Sequence, residues 1–239
     1  MILLDIPGLS PLKSIWASMK LLSTTAFLLT AFGFPAAAQA QKLEPLPIVL
    51  PKPLFEGTPV PPKVPNLEKP LGRPRPAFLA PAGVANVALH KPLSSSDSDP
   101  VLGNLEMLTD GAKSGADGSF VQLKDGVQSV VIDLESRHTI YAILIWHYLK
   151  EARAYADVVV QVSDDPDFIG NVVTLFNNDN SNQAGLGIGK DQRYVETSEG
   201  KLIDARGVEA RYVRLFSHGS EKTETNHYIE VEVYGKPVK

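Results

Sequence analysis

Trp146, His147, Tyr148, Arg153 and Tyr155 crowd into one short stretch, WHYLKEARAY, between two strongly patterned segments. Aromatic faces cover C–H surfaces, and imidazole and guanidinium groups offer hydrogen-bond donors in a fixed plane. The set therefore suits recognition of a ring that carries hydroxyls, held in a shallow pocket. His218, Asn226, His227 and Tyr228 flank the last patterned segment and are candidates for the same end of the domain. Catalytic chemistry is poorly represented. Asp164, Asp165 and Asp167 surround Pro166, which is ordinary turn grammar rather than a general acid and base. No helical zinc spacing or Gly-x-Ser-x-Gly elbow occurs, and the Gly-rich run 185–190 lacks the spacing of a phosphate loop. No catalytic residue is assigned, and the chain reads as a non-enzyme.

The segments on either side of this stretch explain how it would be positioned. Residues 139–147 and 157–163 are rich in Ile, Val and aromatics, residue types that fit a pleated, half-buried surface. In the second, Val158, Val160 and Val162 share one face, so a core lies on that side. Further strands are expected at 84–89, 120–123, 128–134, 172–176, 194–197, 210–217 and 227–234. Asp-Gly pairs at 110–111, 117–118 and 125–126 and the Asn-Asn-Asp run 177–179 separate them. Many short strands with such turns predict an all-β sandwich or jelly roll.

Composition divides the 239 residues into three parts. Residues 1–40 read as a signal peptide: Lys13 and Lys20 precede an apolar run at 21–34, and Ala38-Gln39-Ala40 offers the small residues a signal peptidase needs. Once cleaved, the chain keeps no stable membrane span, and the expected location is secreted, periplasmic or cell-surface. Residues 41–82 hold most of the prolines and form the second part, expected to be an extended, disordered linker or tail. Residues 83–239 form the folded domain, with 15 Lys and Arg against 23 Asp and Glu. An acidic domain is a poor match for a phosphate backbone, so nucleic acid is excluded as a partner and a neutral or cationic one is expected. The chain has no cysteine, which removes disulfides, thiol catalysis and a lipid anchor through cysteine.

Several pieces, in order, resemble the discoidin domain (coagulation factor type C) and its relatives among galactose-binding-like carbohydrate-binding modules. They are NVALHKP at 86–92, TDG at 109–111, VVIDL at 130–134, VQVSDD at 160–165, ARYVRL at 210–215 and EVEVYG at 230–235. The chain departs from that pattern at Ser129, where Trp is common, and at Glu135, where Gly is common. The resemblance implies a discoidin-like jelly-roll β-sandwich of two antiparallel sheets, with binding loops at one end. It also implies one structural calcium between an early Asp-Gly loop and a Glu of the last strand, positions matched by Asp110 and Glu230. Calcium requires six to eight oxygens, so Ser114, Asp117 and loop carbonyls are candidates for the remaining ligands.

These readings converge on an exported binding module that recognises a glycan or cell-surface polysaccharide. The alternative is an adhesion domain holding an envelope protein, which an apolar patch around Leu186 and Ile188 would favour. The export reading makes a direct prediction: protein recovered from the source cell begins at or near Gln41 by mass spectrometry. A chain that retains residues 21–34 would replace the cleaved signal with an anchor.

Overall fold

The computed structural model describes residues 42–54, 60, 62–148 and 150–238. The expected signal peptide and cleavage point lie outside the described residues. Thirteen strands and one 3-10 turn (Leu105–Thr109) account for the regular structure among those residues, in which no helix is long and apolar enough to cross a membrane.

Two long strands set the architecture. β6 (Gln128–Trp146) and β11 (Lys201–Ser217) run antiparallel along nearly their whole lengths. Their sheet has seven strands. Its path is β3 (Ala85–Asn86), β13 (Glu230–Pro237), β6, β11, β8 (Val159–Ser163) and β9 (Val173–Asn177), and β4 (Leu93–Ser95) also pairs with β6. β5 (Val121–Asp125) and β12 (Thr225–Tyr228) form a separate antiparallel ladder. The apolar core lies between this ladder and the large sheet: Val121, Leu123 and Tyr228 join Val130, Ile132, Leu134, Val160, Val162, Val213 and Leu215 in one cluster. The expected all-β sandwich of antiparallel sheets is therefore the fold. Its second layer is divided, since β7 (Ala154–Tyr155) and β10 (Tyr194–Val195) form a further two-stranded ladder.

The segments expected as strands at 128–134 and 139–147 are one strand. Glu135 adopts φ 65° at a register shift opposite Ala210–Tyr212 of β11, and a second shift, where Arg206 holds φ 55° and Gly207 φ 73°, lies opposite Ile140–Ala142. Such bends let a strand continue across a change of direction instead of ending in a turn. Burial differs on the two sides of the bend. Val130, Ile132 and Leu134 are buried with half-buried residues between them, whereas every residue from Ala142 to Trp146 is buried. The C-terminal half of β6 thus has two apolar faces, and each requires a cover.

The second cover comes from the proline-rich segment. β1 (Leu43–Pro45) pairs with β2 (Leu79–Pro81), and Leu46, Ile48, Phe78 and Ala80 pack on Ala142, Leu144 and Trp146 in a second apolar cluster. The segment is extended, as its prolines dictate. It does not stand off as a free stalk, because residues 42–54 and 62–82 belong to the same compact unit as the sandwich. Glu68 N–H donates to the Arg193 carbonyl at 2.8 Å, and Arg193 N–H donates to that of Asn66 at 2.9 Å. Glu68 also pairs with Lys201 at 2.7 Å. The Arg75 guanidinium donates to the Glu199 carbonyl at 2.7 Å and the Gly200 carbonyl at 2.8 Å. Prolines lack the donors for a ladder, so the strap is tied down by side chains and by the few non-proline amides.

Arg75 is therefore a latch. Arg75→Ala should lower stability by about 1–3 kcal/mol, the scale for losing charge-assisted hydrogen bonds. Amide exchange should rise selectively over 62–82 and in the loop at 197–201. Uniform exchange with an unchanged melt would mean that the strap is not held by this residue.

Candidate functional site

The aromatic stretch that joins the two patterned segments leaves β6 at Trp146, and strand alternation divides its members at once. Trp146 turns toward the strap and is fully buried. Its Nε1 donates to the Ser198 carbonyl at 3.1 Å, and the Lys113 ammonium lies 4.9 Å from its ring centroid. Gly200, at φ 66°, passes so close that a Cβ there would sit 2.7 Å from the indole. Trp146 is a core residue, which corrects its assignment as a ligand platform.

His147 faces the opposite layer and has no exposed surface. Its ring stacks on Tyr155 at 4.2 Å and lies 4.8 Å from Tyr228. Burial pushes its pKa down to about 4, so the imidazole is neutral at ordinary pH. The neutral tautomer is then set by its neighbours: Nδ1 donates to the His227 carbonyl at 2.8 Å and Nε2 accepts from the Tyr194 hydroxyl at 2.9 Å. Tyr155 is buried too, and its hydroxyl accepts the Tyr148 N–H at 3.1 Å. His147 and Tyr155 are likewise internal rather than ligand-facing. Burial and the Glu196 carboxylate hold the Tyr155 phenol far above its usual range. Glu196, also buried, accepts the His147 and Thr197 amides at 3.0 and 3.1 Å. Burial pushes its pKa up to about 8.

Asn226 is a structural tie. Its Oδ1 accepts from Ser217 and Gly219, its Nδ2 donates to the carbonyls of Lys124 and Gly126, and it is fully buried. His218 pairs with Asp157 at 3.2 Å. Asn226 has no capacity left for a ligand, and the hydrogen-bonding partner of His218 is within the protein.

The structure does bring together Tyr148, Arg153 and His227, with Phe120 as a fourth member that sequence patterning did not single out. Phe120 meets Tyr148 edge-on at 5.5 Å and His227 at 5.6 Å, and Tyr148 lies 5.6 Å from His227. The Arg153 guanidinium covers the Tyr148 ring at 4.2 Å. Tyr148 and Arg153 are half-buried, and Phe120 and His227 sit beneath them. Burial, reinforced by the Arg153 charge, pushes the His227 pKa down to about 4, so this ring is neutral as well. Among the described residues Arg153 Nη1 and His227 Nδ1 have no hydrogen-bond partner, which is uncommon for polar atoms removed from water. Charged pairs rim the patch: Lys150 with Asp117, and Glu151 with Lys222 at 3.3 Å and with Arg153 at 3.4 Å. The signal for Phe120 was its place after the Asp117-Gly118 turn at the head of a strand, which brings it beside the other connection.

The calcium set assembles only in part. Gly111 N–H donates to both oxygens of Glu230 at 3.2 Å, so the Asp110 loop does meet the last strand. Asp117, by contrast, pairs with Lys150, and the Ser114 hydroxyl accepts the Ala116 amide at 3.4 Å. Among the described residues no three His, Cys, Asp or Glu side chains are placed to hold one ion. A cation is already present in the form of Lys113, whose ammonium pairs with Glu232 where both side chains are buried. Burial and the neighbouring Glu232 push the Glu230 pKa up to about 9, which leaves this acid largely protonated near neutrality. Asp117 and Ser114 are thus drawn away from Asp110 and Glu230, and a calcium at this seam would have to take its remaining oxygens from loop carbonyls. Thermal melts with excess calcium and with chelator decide it, a raised midpoint placing a metal at the seam and an unmoved one removing it, and Lys113→Met should cost about 3–5 kcal/mol because it strands Glu232 without that partner.

No family model and no curated protein matches this chain. Solved structures similar to it include chitosan-binding module 1 of a chitosanase/glucanase from Paenibacillus sp. IK-5, at 22% identity and TM-score 0.44 over 63% of this chain and 98% of that one. A fucose-binding module of Streptococcus pneumoniae, SpX-3, has 21% identity and TM-score 0.45 over 63% of this chain and 97% of that one. A family 89 glycoside hydrolase from Clostridium perfringens has 15% identity and TM-score 0.46 over 64% of this chain, which spans only 15% of that hydrolase.

Proposed function

We propose that this is an exported, non-catalytic binding module that takes carbohydrate at the end of the sandwich where Phe120, Tyr148, Arg153 and His227 meet. The observation that carries the reading is the state of Arg153 and His227: a guanidinium spread over an aromatic ring and a neutral imidazole, each with a ring or fork nitrogen unpaired. An aromatic patch with unused donor and acceptor capacity suits a hydroxylated ring. The near balance of charge around the rim favours a neutral ligand over a polyanion. Trp146 and Tyr155, the residues first expected to line this groove, act one layer down by fixing the connection that carries Tyr148 and Arg153.

An adhesion role has one specific observation in its favour: Ile188 is 72% exposed. Leu186 beside it is half-buried, and two residues make a small patch for a protein partner.

A glycan array, run beside a pull-down from envelope extract, tests the proposal. Affinity for a single sugar is expected at about −4 to −6 kcal/mol, the millimolar to tens-of-micromolar scale. Arg153→Ala should weaken the array hits about tenfold with the melt nearly unchanged, and Tyr148→Ala should weaken them as much while lowering the melt, since its ring also packs on the second apolar cluster. Variants that bind every hit as well as the parent would remove this patch from the account, and one enriched protein with no sugar hit would select adhesion.

A further inference from the structure

The seven-stranded sheet ends on β9, and most of that edge is open. At the opposite end β3 is two residues long and offers a further strand little to pair with. Among the described residues the β9 backbone pairs only with β8 until it reaches Asn177. There Asp191 closes the edge: its carboxylate accepts the Asn177 amide at 2.6 Å, and its own amide donates to the Asn177 carbonyl at 3.0 Å. Residues 172–176 read Val-Val-Thr-Leu-Phe, with high strand propensity and neither a charge nor a proline to deter another strand. Val173 stands opposite the core residue Val162, so its side chain lies on the core side of the sheet, yet it is 43% exposed.

The two ends of this edge carry complementary residues. Before β9, the loop at 164–171 is fixed from within, because the Asp165 carboxylate accepts the amides of Asp167, Ile169 and Gly170 at 3.0, 3.0 and 2.9 Å. Phe168 turns back onto the Arg214 guanidinium at 4.1 Å, and Ile169 projects from the loop, 86% exposed. After β9, the returning loop is tied to the strand end, where Asn177 Nδ2 donates to the Gly187 carbonyl at 3.2 Å, and it carries exposed Ile188 and Lys190. Among the described residues neither Asp167 nor Lys190 joins a salt bridge. One end thus offers an acid and an isoleucine, and the other an isoleucine and a base.

We infer that β9 pairs antiparallel with β9 of a second copy of this chain, joining two sheets into one across a two-fold axis. Such an axis sets the start of each strand beside the end of the other. Ile169 of each copy then meets Ile188 of the other, and Asp167 meets Lys190, whereas a parallel arrangement would set acid against acid and base against base. The uncharged strands between them bring no repulsion, and Val173 gains a cover. Two joined copies carry two Tyr148 patches, and weak sites gain most from being paired. The pairing itself uses no residue of that patch.

Sedimentation equilibrium of the chain from Gln41, which holds the whole compact unit of strap and sandwich, tests the inference. The mass should rise from one copy to two, and no further, between about 5 and 500 µM, the range for a small transient interface. Ile169→Arg should weaken the dimer at least about tenfold. Asp167→Lys, which sets a cation against Lys190 at both symmetric contacts, should weaken it about fivefold, and Lys190→Asp added to that variant should restore it, because the ion pair returns with its ends exchanged. All three side chains are exposed, so the melts should not move. Arg153→Ala should dimerise as the parent does, which separates failure here from failure at the sugar patch. A single-copy mass at the highest concentration, growth beyond two copies, a dimer indifferent to Ile169→Arg, or no rescue by the exchanged pair would overturn the assignment.

Discussion

The C-terminal half of β6 is apolar on both faces, and most of what surrounds it follows from that. One face, with Ile140, Ile143 and Ile145, is covered by the sandwich interior. The other, with Ala142, Leu144 and Trp146, would be left in water by the sandwich alone. Burying large aliphatic and aromatic side chains contributes about 1.5–3 kcal/mol each, so the uncovered face would be a substantial liability and an invitation to aggregate. A strap with few free amides meets the need. It contributes Leu46, Ile48, Phe78 and Ala80 without adding a long sheet edge.

Charge burial is the second organising feature, and it is handled differently in two places. At the seam between Asp110 and β13, Glu232 has both the Lys113 ammonium and the Tyr234 hydroxyl, at 2.8 Å, while Glu230 has one amide and two acidic neighbours. Under the aromatic layer, Glu196 is satisfied by two amides and, among the described residues, has no direct ion pair. Folded-state pKa values raised above the unfolded value for Glu196 and Glu230 mean that folding takes up protons. Stability from these two acids is therefore highest below the unfolded value near 4.5 and declines as pH rises toward about 8 and about 9. These acids draw the domain toward a mildly acidic optimum.

Much of the fold was legible because β-strands advertise themselves by alternation and by their turns. Val158, Val160 and Val162 point into the core as their spacing required, and Asp-Gly pairs end or begin the strands around them. Where legibility failed, the cause was physical. The bend at Glu135 made one strand look like two, since a non-glycine residue at φ 65° leaves no trace in composition. The prolines announced extended chain but not its docking, because Leu46 and Phe78 read as isolated apolar residues until the face they cover is known. Site residues suffered from a related ambiguity. Aromatics and His near a strand end serve equally well as core or as platform, and only alternation past Trp146 decides that His147 and Tyr155 go inward. Asn226 carries the same ambiguity, because nothing in its neighbours along the chain reveals that its amide meets four internal partners.

The buried members nevertheless govern the exposed ones. Tyr148 is held where its amide meets the Tyr155 hydroxyl, and Tyr155 is held by the His147 ring beneath it. His147 in turn fixes the His227 carbonyl, which sets the ring that flanks Tyr148 from the other strand. Tyr148 and His227 thus belong to different connections but share one rigid foundation. A patch on such a foundation loses little conformational freedom on meeting a ligand, which matters most for weak, shallow sites where the cost of ordering rivals the attraction itself. Arg153 benefits from the same arrangement, because its guanidinium rests on that fixed ring while Nε and Nη2 reach Glu151. The core histidine therefore serves binding by making the surface above it stiff.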